Sequence, residues 1–222
     1  MRTFLILKKE NLRSIPEAFQ TDDNRFPEAL VSYFLNNYTQ PGDSVLDIFA
    51  GLETTLFVAE QMKRIAYGLE YDKKRVDYIR ANLVQKNNVI HGDALKLEDY
   101  QLPKMDFCLT SPPYMPKDDN LNPLTGCTTK GDYKRYLKDI RTIFSKVKDI
   151  MKANSYVVIE VANLKENGVT TLAWDIAREV SKTFHFEGEI VIGWEQEGDL
   201  AQDGAYGGGY DHSYCLVFRK IN

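Results

Sequence analysis

Residues 106 to 116, DFCLTSPPYMP, run from an apolar strand pattern directly into two prolines and a tyrosine. Pro112 and Pro113 fix their own backbone torsions and push the residue before each of them toward extended geometry. The carbonyl groups of Ser111 and Pro112 are therefore expected to point outward instead of joining a helix. Together with the Ser111 hydroxyl and the Tyr114 ring, such a carbonyl suits a planar ligand that bears an amino group. The stretch predicts a buried strand that ends in a binding site.

Short apolar runs alternate with helical patterns on both sides of this stretch. Alternation of this kind predicts a mostly parallel sheet with helices on both faces. No helix separates the last two strands, so we expect them to form an antiparallel hairpin at one edge. The predicted helices cover residues 26–38, 53–63, 73–86, 133–152 and 171–184, and the predicted strands cover 43–51, 64–72, 88–94, 105–114, 155–163, 189–196 and 212–220. This seven-stranded α/β layout resembles the Rossmann-like class I methyltransferase fold.

Acidic residues stand at the ends of three successive predicted strands. Asp47 precedes the Gly51 turn into a helix, whose free amide groups favour an anionic ligand. Glu70 follows Gly51 by 19 positions, close to the spacing at which an acid reaches ribose hydroxyls in dinucleotide-binding folds. Asp93 ends the third strand. Because ligands bind beyond the carboxyl ends of parallel strands, these residues and Ser111–Tyr114 are expected to converge at one edge.

The segment Ser111-Pro112-Pro113-Tyr114 resembles the catalytic motif of the DNA amino-methyltransferases, which methylate cytosine N4 or adenine N6 with S-adenosylmethionine. The resemblance spans about residues 26 to 163. It includes FPEALVSYFL before the first strand, VLDIFAGLETT as a methionine-binding loop, GLEYD as a ribose-binding acid and GDA as an adenine-binding acid. The resemblance implies a cofactor site formed by Phe26, Asp47, Ala50, Gly51, Thr54, Glu70 and Asp93.

The same resemblance implies direct methyl transfer without a covalent enzyme intermediate and without a metal. Ser111 and the Pro112 carbonyl would accept the two amino hydrogens, Pro113 would complete the fixed backbone, and Tyr114 would stack on the target base. Serine at the first motif position favours cytosine N4, with adenine N6 as an alternative.

Two features depart from the family pattern. Glu53 stands where family members usually carry a second glycine, and a side chain there is expected to crowd the cofactor. The 222 residues are expected to form one catalytic domain, with no separate target-recognition domain. Loop 115–132, with Lys117 and Lys130, and the glycine-rich segment 203–212 are the candidate substrate contacts.

Composition limits the classes of protein further. Hydrophobic residues make up 43% and charged residues 27% of the chain, as in folded globular proteins. The net charge of −4 provides no chain-wide basic field for nucleic acid, although a local basic face can contact phosphates. No apolar run is long enough to span a membrane, and three scattered cysteines suggest neither disulfides nor a metal site. We therefore expect a cytoplasmic protein.

DNA is the predicted partner, and several alternatives stay open. The substrate could be RNA, since similar motifs serve enzymes that methylate RNA bases. The chain could also be a degenerate or partner-dependent subunit that binds cofactor or nucleic acid. A homodimer, a separate recognition subunit and the biological role, such as restriction-modification, are not determined by the sequence.

Overall fold

Eight strands form a single mixed sheet in the part of the chain that the computed structural model describes, residues 2–8, 13–20, 25–127, 130–165, 168–195 and 210–221. In chain order the strands are β1 Phe4–Lys8, β2 Ser44–Asp47, β3 Ile65–Glu70, β4 Val89–His91, β5 Met105–Thr110, β6 Met151–Val161, β7 His185–Glu195 and β8 His212–Arg219. Their spatial order is β1-β7-β8-β6-β5-β2-β3-β4. Strand β8 runs antiparallel to both of its neighbours, and every other pairing is parallel.

The predicted strand count of seven was wrong by one. Residues Phe4–Lys8 form an additional strand that pairs in parallel with β7, so the β7–β8 hairpin is not at the edge of the sheet. In this strand only Leu5 is buried, while Phe4 and Ile6 are largely exposed. So short a run carries little periodicity, and its strand state depends on pairing with residues far along the chain. The predicted mostly parallel α/β sheet is otherwise confirmed.

Six α-helices cover the two faces of the sheet within the described residues. They are α1 Glu17–Gln20, α2 Glu28–Tyr38, α3 Thr54–Gln61, α4 Lys73–Asn82, α5 Tyr133–Ile150 and α6 Leu172–Val180. Helices α2, α3 and α4 bury one apolar cluster against the sheet, and α5 and α6 bury a second cluster on the other face. Burial on both faces explains why the central strands read as continuous apolar runs.

Local sequence signals account for the helix starts next to the strand ends. The Asp72 carboxylate accepts hydrogen bonds from two amide groups in the first turn of α4, and Asp132 accepts one from Arg135 at the start of α5. Strand β4 ends earlier than predicted, because Asp93 leaves the strand to cap the 3-10 helix Ala94–Asp99. None of the described helices has the length and apolar character needed to cross a membrane.

Candidate active site

A cavity of about 1110 Å³ lies at the carboxyl ends of β2, β3, β5 and β6. Its walls include most of the residues that the sequence singled out, together with residues from the segment before α2 and from the loop after β5. The predicted residues that line it are Phe26, Asp47, Ala50, Gly51, Thr54, Glu70, Ser111, Pro112, Pro113 and Tyr114. The volume exceeds that of a typical site for one small ligand, about 300–1,000 Å³, so a cofactor and a second planar ligand can share it.

The turn between β2 and α3, named here the cofactor turn after its predicted role, forms one side of this cavity. Gly51 has a positive φ of 55°, and its amide donates to Glu70 Oε2 at 2.8 Å. Glu70 Oε1 accepts from the Asp72 amide, so the carboxylate bridges the ends of β2 and β3 and is held rigidly. Thr54 begins α3, and its buried Oγ1 has no hydrogen-bond partner among the described residues. This wall therefore combines an oriented carboxylate with a buried hydroxyl that has no partner among the described residues.

Asp47 joins the cofactor turn to the strand that carries the diproline. Its Oδ1 accepts a hydrogen bond from Thr110 Oγ1 at 2.6 Å and another from the Phe49 amide at 3.1 Å. Thr110 is the residue before Ser111, so this contact fixes the turn after β2 relative to the Ser111–Tyr114 segment. Burial raises the pKa of Asp47 to about 6, although the hydrogen bond from Thr110 lowers it in part.

Glu53 does not line the cavity, contrary to the expectation that it crowds the cofactor. The carboxylate is buried and forms an ion pair with Arg13, whose guanidinium lies 4.1 Å from the centre of the Phe57 ring. Burial raises the pKa of Glu53 to about 7, with Arg13 opposing that rise. The backbone at Glu53 has a φ of 74°, the left-handed conformation that favours glycine. The chain thus keeps the backbone of a glycine turn and directs the side chain toward the N-terminal segment.

The diproline segment is fixed by a hydrogen bond from helix α5. The hydroxyl of Tyr136, a fully buried residue, donates to the Pro113 carbonyl at 2.9 Å. No donor from the described residues reaches the carbonyl of Pro112, which belongs to the cavity wall. The Pro112 carbonyl therefore has no hydrogen-bond partner among the described residues, and its predicted contact with a ligand stays a prediction.

Glu160, near the end of β6, contacts the polar groups of the Ser111–Tyr114 segment. Its Oε2 accepts from Ser111 Oγ at 3.0 Å and lies 3.4 Å from the Tyr114 hydroxyl. The Tyr114 hydroxyl also accepts from the Ala162 amide at 2.9 Å, which fixes the orientation of the ring. Because Ser111 gives its hydrogen to Glu160, the lone pairs of its oxygen are free to accept from a ligand. Burial raises the pKa of Glu160.

Three predicted site residues lie outside the cavity wall. Asp93 lies beside it, but its Oδ1 accepts from the Leu95 amide and caps a 3-10 helix, while its neighbours Gly92 and Ala94 line the cavity. Lys117 packs against α6, with its Nζ 3.8 Å from Asp175. Lys130 is exposed and pairs with Leu121 in an isolated bridge. The prediction that these three side chains face the ligands is therefore not supported by this geometry.

Part of the loop after β5 covers the cavity, while residues 117–121 of the same loop are exposed to solvent. Asn122 is buried and donates to Asp139 of α5 at 3.0 Å, and Leu124 lines the cavity. Gly126 has a φ of 62°, and a side chain there would meet the Tyr71 ring at 2.7 Å. The loop therefore closes onto the end of β3. Of the glycine-rich segment 203–212, residues 203–209 lie outside the described residues.

The sequence interpretation missed Glu160, Tyr136 and Arg25, of which Glu160 and Arg25 line the cavity. A signal for Glu160 was present, since it is a lone carboxylate in the apolar run YVVIEVA near a strand end. The same reasoning identified Asp47. Nothing local distinguishes Tyr136 or Arg25, because each reaches its place through tertiary packing.

Comparison with known sequences finds similarity in the N-terminal third of the chain. A family model described as DNA methylase, of the N6 and N4 methyltransferases, matches residues 5–81. The type II methyltransferase M.BglII of Bacillus subtilis is 36% identical over 67 residues, which are 30% of this chain and 19% of that protein. The chain thus spans about a fifth of the curated relative that it matches.

Solved structures resemble nearly the whole chain. TrmN from Thermus thermophilus has a TM-score of 0.61 at 17% identity, covering 95% of this chain and 55% of TrmN. An S-adenosylmethionine-dependent methyltransferase from Archaeoglobus fulgidus has a TM-score of 0.59 at 15% identity, covering 92% of this chain and all of that one. A putative class I S-adenosylmethionine-dependent methyltransferase from Listeria monocytogenes has a TM-score of 0.60 at 17% identity, covering 95% of this chain and 64% of that one.

The two kinds of similarity concern different parts of the chain. The sequence match covers the segment before β2, the turn after β2 and β3, whereas the fold match covers 95% of the chain. The resemblance to DNA amino-methyltransferases is confirmed for residues 5–81, and the chain has the class I S-adenosylmethionine-dependent methyltransferase fold.

Proposed function

We propose that this protein is an S-adenosylmethionine-dependent methyltransferase that acts on the exocyclic amino group of a base in DNA, with cytosine N4 as the favoured target. One observation carries the proposal. Two hydrogen-bond acceptors, Ser111 Oγ and the Pro112 carbonyl, stand in the same cavity as a glycine turn and an oriented acid of the cofactor-binding type.

The cofactor side fits S-adenosylmethionine on its own chemistry. The buried Thr54 hydroxyl lacks a partner among the described residues, and the carboxylate of Glu70 can accept from two neighbouring ribose hydroxyls. The partly buried acids of this wall suit a positively charged ligand. S-adenosylmethionine, when bound, supplies a methyl group on a positively charged sulfur. Both the family match and the fold support this cofactor.

The catalytic side would activate a weakly nucleophilic amine. The lone pair of an exocyclic amino group is delocalised into the base, so the nitrogen must be drawn toward tetrahedral geometry before it can attack. Ser111 Oγ and the Pro112 carbonyl would each accept one amino hydrogen and hold the nitrogen in that geometry. Their positions depend on Tyr136, which holds the next carbonyl along the chain.

Glu160 can accept, through Ser111, the proton that the amino group loses. An amino nitrogen that accepts a methyl group would have to lose one hydrogen. Ser111 can take that hydrogen while it passes its own to Glu160 Oε2, 3.0 Å away. Burial raises the pKa of Glu160 and makes the carboxylate a stronger base. Glu160 is thus a positioning residue that acts through Ser111.

The test is methyl transfer from S-adenosylmethionine carrying a labelled methyl group, with single-stranded DNA, duplex DNA and RNA of mixed sequence as acceptors. Digestion and mass spectrometry would identify the methylated nucleoside. We expect N4-methylcytosine from DNA, abolished by Ser111→Ala and retained by Ser181→Ala, a matched change at the end of α6.

Other outcomes have distinct meanings. Transfer to RNA alone would overturn the DNA assignment and favour the RNA alternative. Cofactor binding without transfer to any acceptor would favour a binding subunit that depends on a partner. Binding by Glu53→Gly but not by the parent would show that Glu53 blocks the cofactor site.

A further inference from the structure

A partly exposed group of four aromatic residues lies beside the cavity and has no role in the reaction described above. The group, named here the aromatic shelf, consists of Trp174, Tyr210, His212 and Tyr214. The rings form a continuous chain of contacts, with centroid distances of 4.9 Å from Trp174 to Tyr214, 5.2 Å from Tyr214 to His212 and 5.4 Å from His212 to Tyr210.

The shelf lies at the same edge of the sheet as the active site. Strand β8 is antiparallel to β6, so β8 begins where β6 ends, and Tyr214 is the register partner of Val161. Glu160, one residue earlier on β6, contacts Ser111. Leu164 lines the cavity, and the next residue, Lys165, contacts the shelf. The shelf therefore begins at the wall of the cavity.

Tyr214 packs in part against the core under α6, but helix packing does not account for Trp174. The buried face of α6 consists of Leu172, Ala173, Ile176, Ala177 and Val180, whereas Trp174 lies on the polar face and is 38% exposed. The other three shelf residues are partly exposed. Large aromatic rings exposed together beside a ligand cavity are typical of a recognition surface.

The chemistry of the shelf matches unstacked bases. Aromatic side chains at single-strand sites bind bases through ring stacking, with cationic groups placed along the phosphates. The Lys165 ammonium lies 4.4 Å from the centre of the Tyr210 ring, which places one cation at the shelf. Asp211, which contacts His212, offsets that charge. Stacking, more than charge, would therefore dominate binding here.

We infer that the aromatic shelf stacks the nucleotides next to the target base and that the protein binds an unpaired stretch of DNA in preference to a duplex. The inference rests on the proposed function, since it presumes a base in the cavity. It gives the protein a way to hold its substrate beyond the catalytic motif without a basic surface.

The test measures binding of fluorescein-labelled dT12 and of a duplex of the same length by anisotropy, with S-adenosylmethionine affinity measured separately. We expect Trp174→Leu and Tyr210→Ala each to weaken dT12 binding by about 5-fold to 150-fold, the range for loss of one base–aromatic stack. Cofactor affinity should not change. The control is Val84→Ala, which truncates an apolar side chain that is 90% exposed just after α4, the helix that packs against β4 at the edge of the sheet farther from β8.

Two further readouts make the result decisive. In a Trp194→Phe background Trp174 is the remaining tryptophan, and dT12 should quench its fluorescence. The logarithm of the dT12 affinity falls with the logarithm of the salt concentration at a slope of about −0.7 for each phosphate contacted. Because stacking, more than charge, would dominate binding, we expect a shallow slope. Unchanged dT12 binding in both variants, or tighter binding of the duplex by the parent, would overturn the inference. Absence of cofactor binding by the parent would instead count against the proposed function.

Discussion

Replacing Glu53 by glycine and by alanine separates the backbone effect at this position from the loss of its ion pair. Both changes remove the contact with Arg13, so that loss cancels when the two variants are compared. The φ of 74° costs a residue with a side chain about 1–2 kcal/mol relative to glycine. Glu53 is also the N-cap of α3, where glycine is preferred over alanine. The glycine variant should therefore be the more stable by about 1–2 kcal/mol.

Urea denaturation followed by circular dichroism would measure this difference, and thermal unfolding should show about 2–8 °C between the variants. At an ordinary helix position the order is reversed, because glycine is less stable than alanine by about 0.5–1 kcal/mol. An alanine variant as stable as the glycine variant, or more stable, would refute the argument that Glu53 occupies a glycine conformation.

Three other results follow from the site. Burial raises the pKa of Asp47 from 3.8 to about 6, so the stability that its protonated form contributes is complete below pH 4 and is lost as the pH rises through 6. The free energy of unfolding should fall by about 3 kcal/mol over this range. Asp47→Asn should flatten this part of the pH profile of stability measured by denaturation. Glu160→Gln should lower kcat about 100-fold in a methyl-transfer assay without changing cofactor affinity. The reason is that the amide of Gln can donate to Ser111 Oγ and move it out of position. An unchanged kcat would show that Glu160 has no part in the mechanism. Tyr136→Phe should cost about 1–3 kcal/mol in urea denaturation, because the Pro113 carbonyl loses its buried donor, whereas equal stability would show that another group satisfies the carbonyl.

The N-terminal segment has a structural role that its sequence does not reveal. Residues before α2 contribute the additional strand β1, the cavity residues Arg25 and Phe26, and Arg13, the partner of Glu53. The Arg25 side chain also donates to the Arg13 carbonyl at 3.3 Å. The segment therefore links the sheet edge, the cofactor turn and the cavity wall, although none of its short runs has a helical or strand pattern long enough to predict this arrangement.

Strand-end residues were predictable because local patterns carry the information. Apolar runs that end at Asp47, Glu70 and Thr110 identify buried strands, and parallel strands place their carboxyl ends at one edge. Gly51 and the two prolines restrict the backbone wherever the chain goes. The cavity wall formed by these residues follows from periodicity and backbone chemistry, which act over a few residues.

The pairing of side chains was decided only by the tertiary structure. Asp93 satisfies its own helix end, and Lys117 pairs with Asp175 instead of facing the cavity. Ser111 meets Glu160 across 49 positions of sequence, and Arg13 meets Glu53 across 40. The sequence by itself determined the α/β class, the ends of the strands at Asp47, Glu70 and Thr110, and the restricted backbone of the diproline segment. The partner of each polar group depended on strand register and on packing between distant segments, because a buried side chain bonds whichever donor or acceptor the fold brings within about 3 Å.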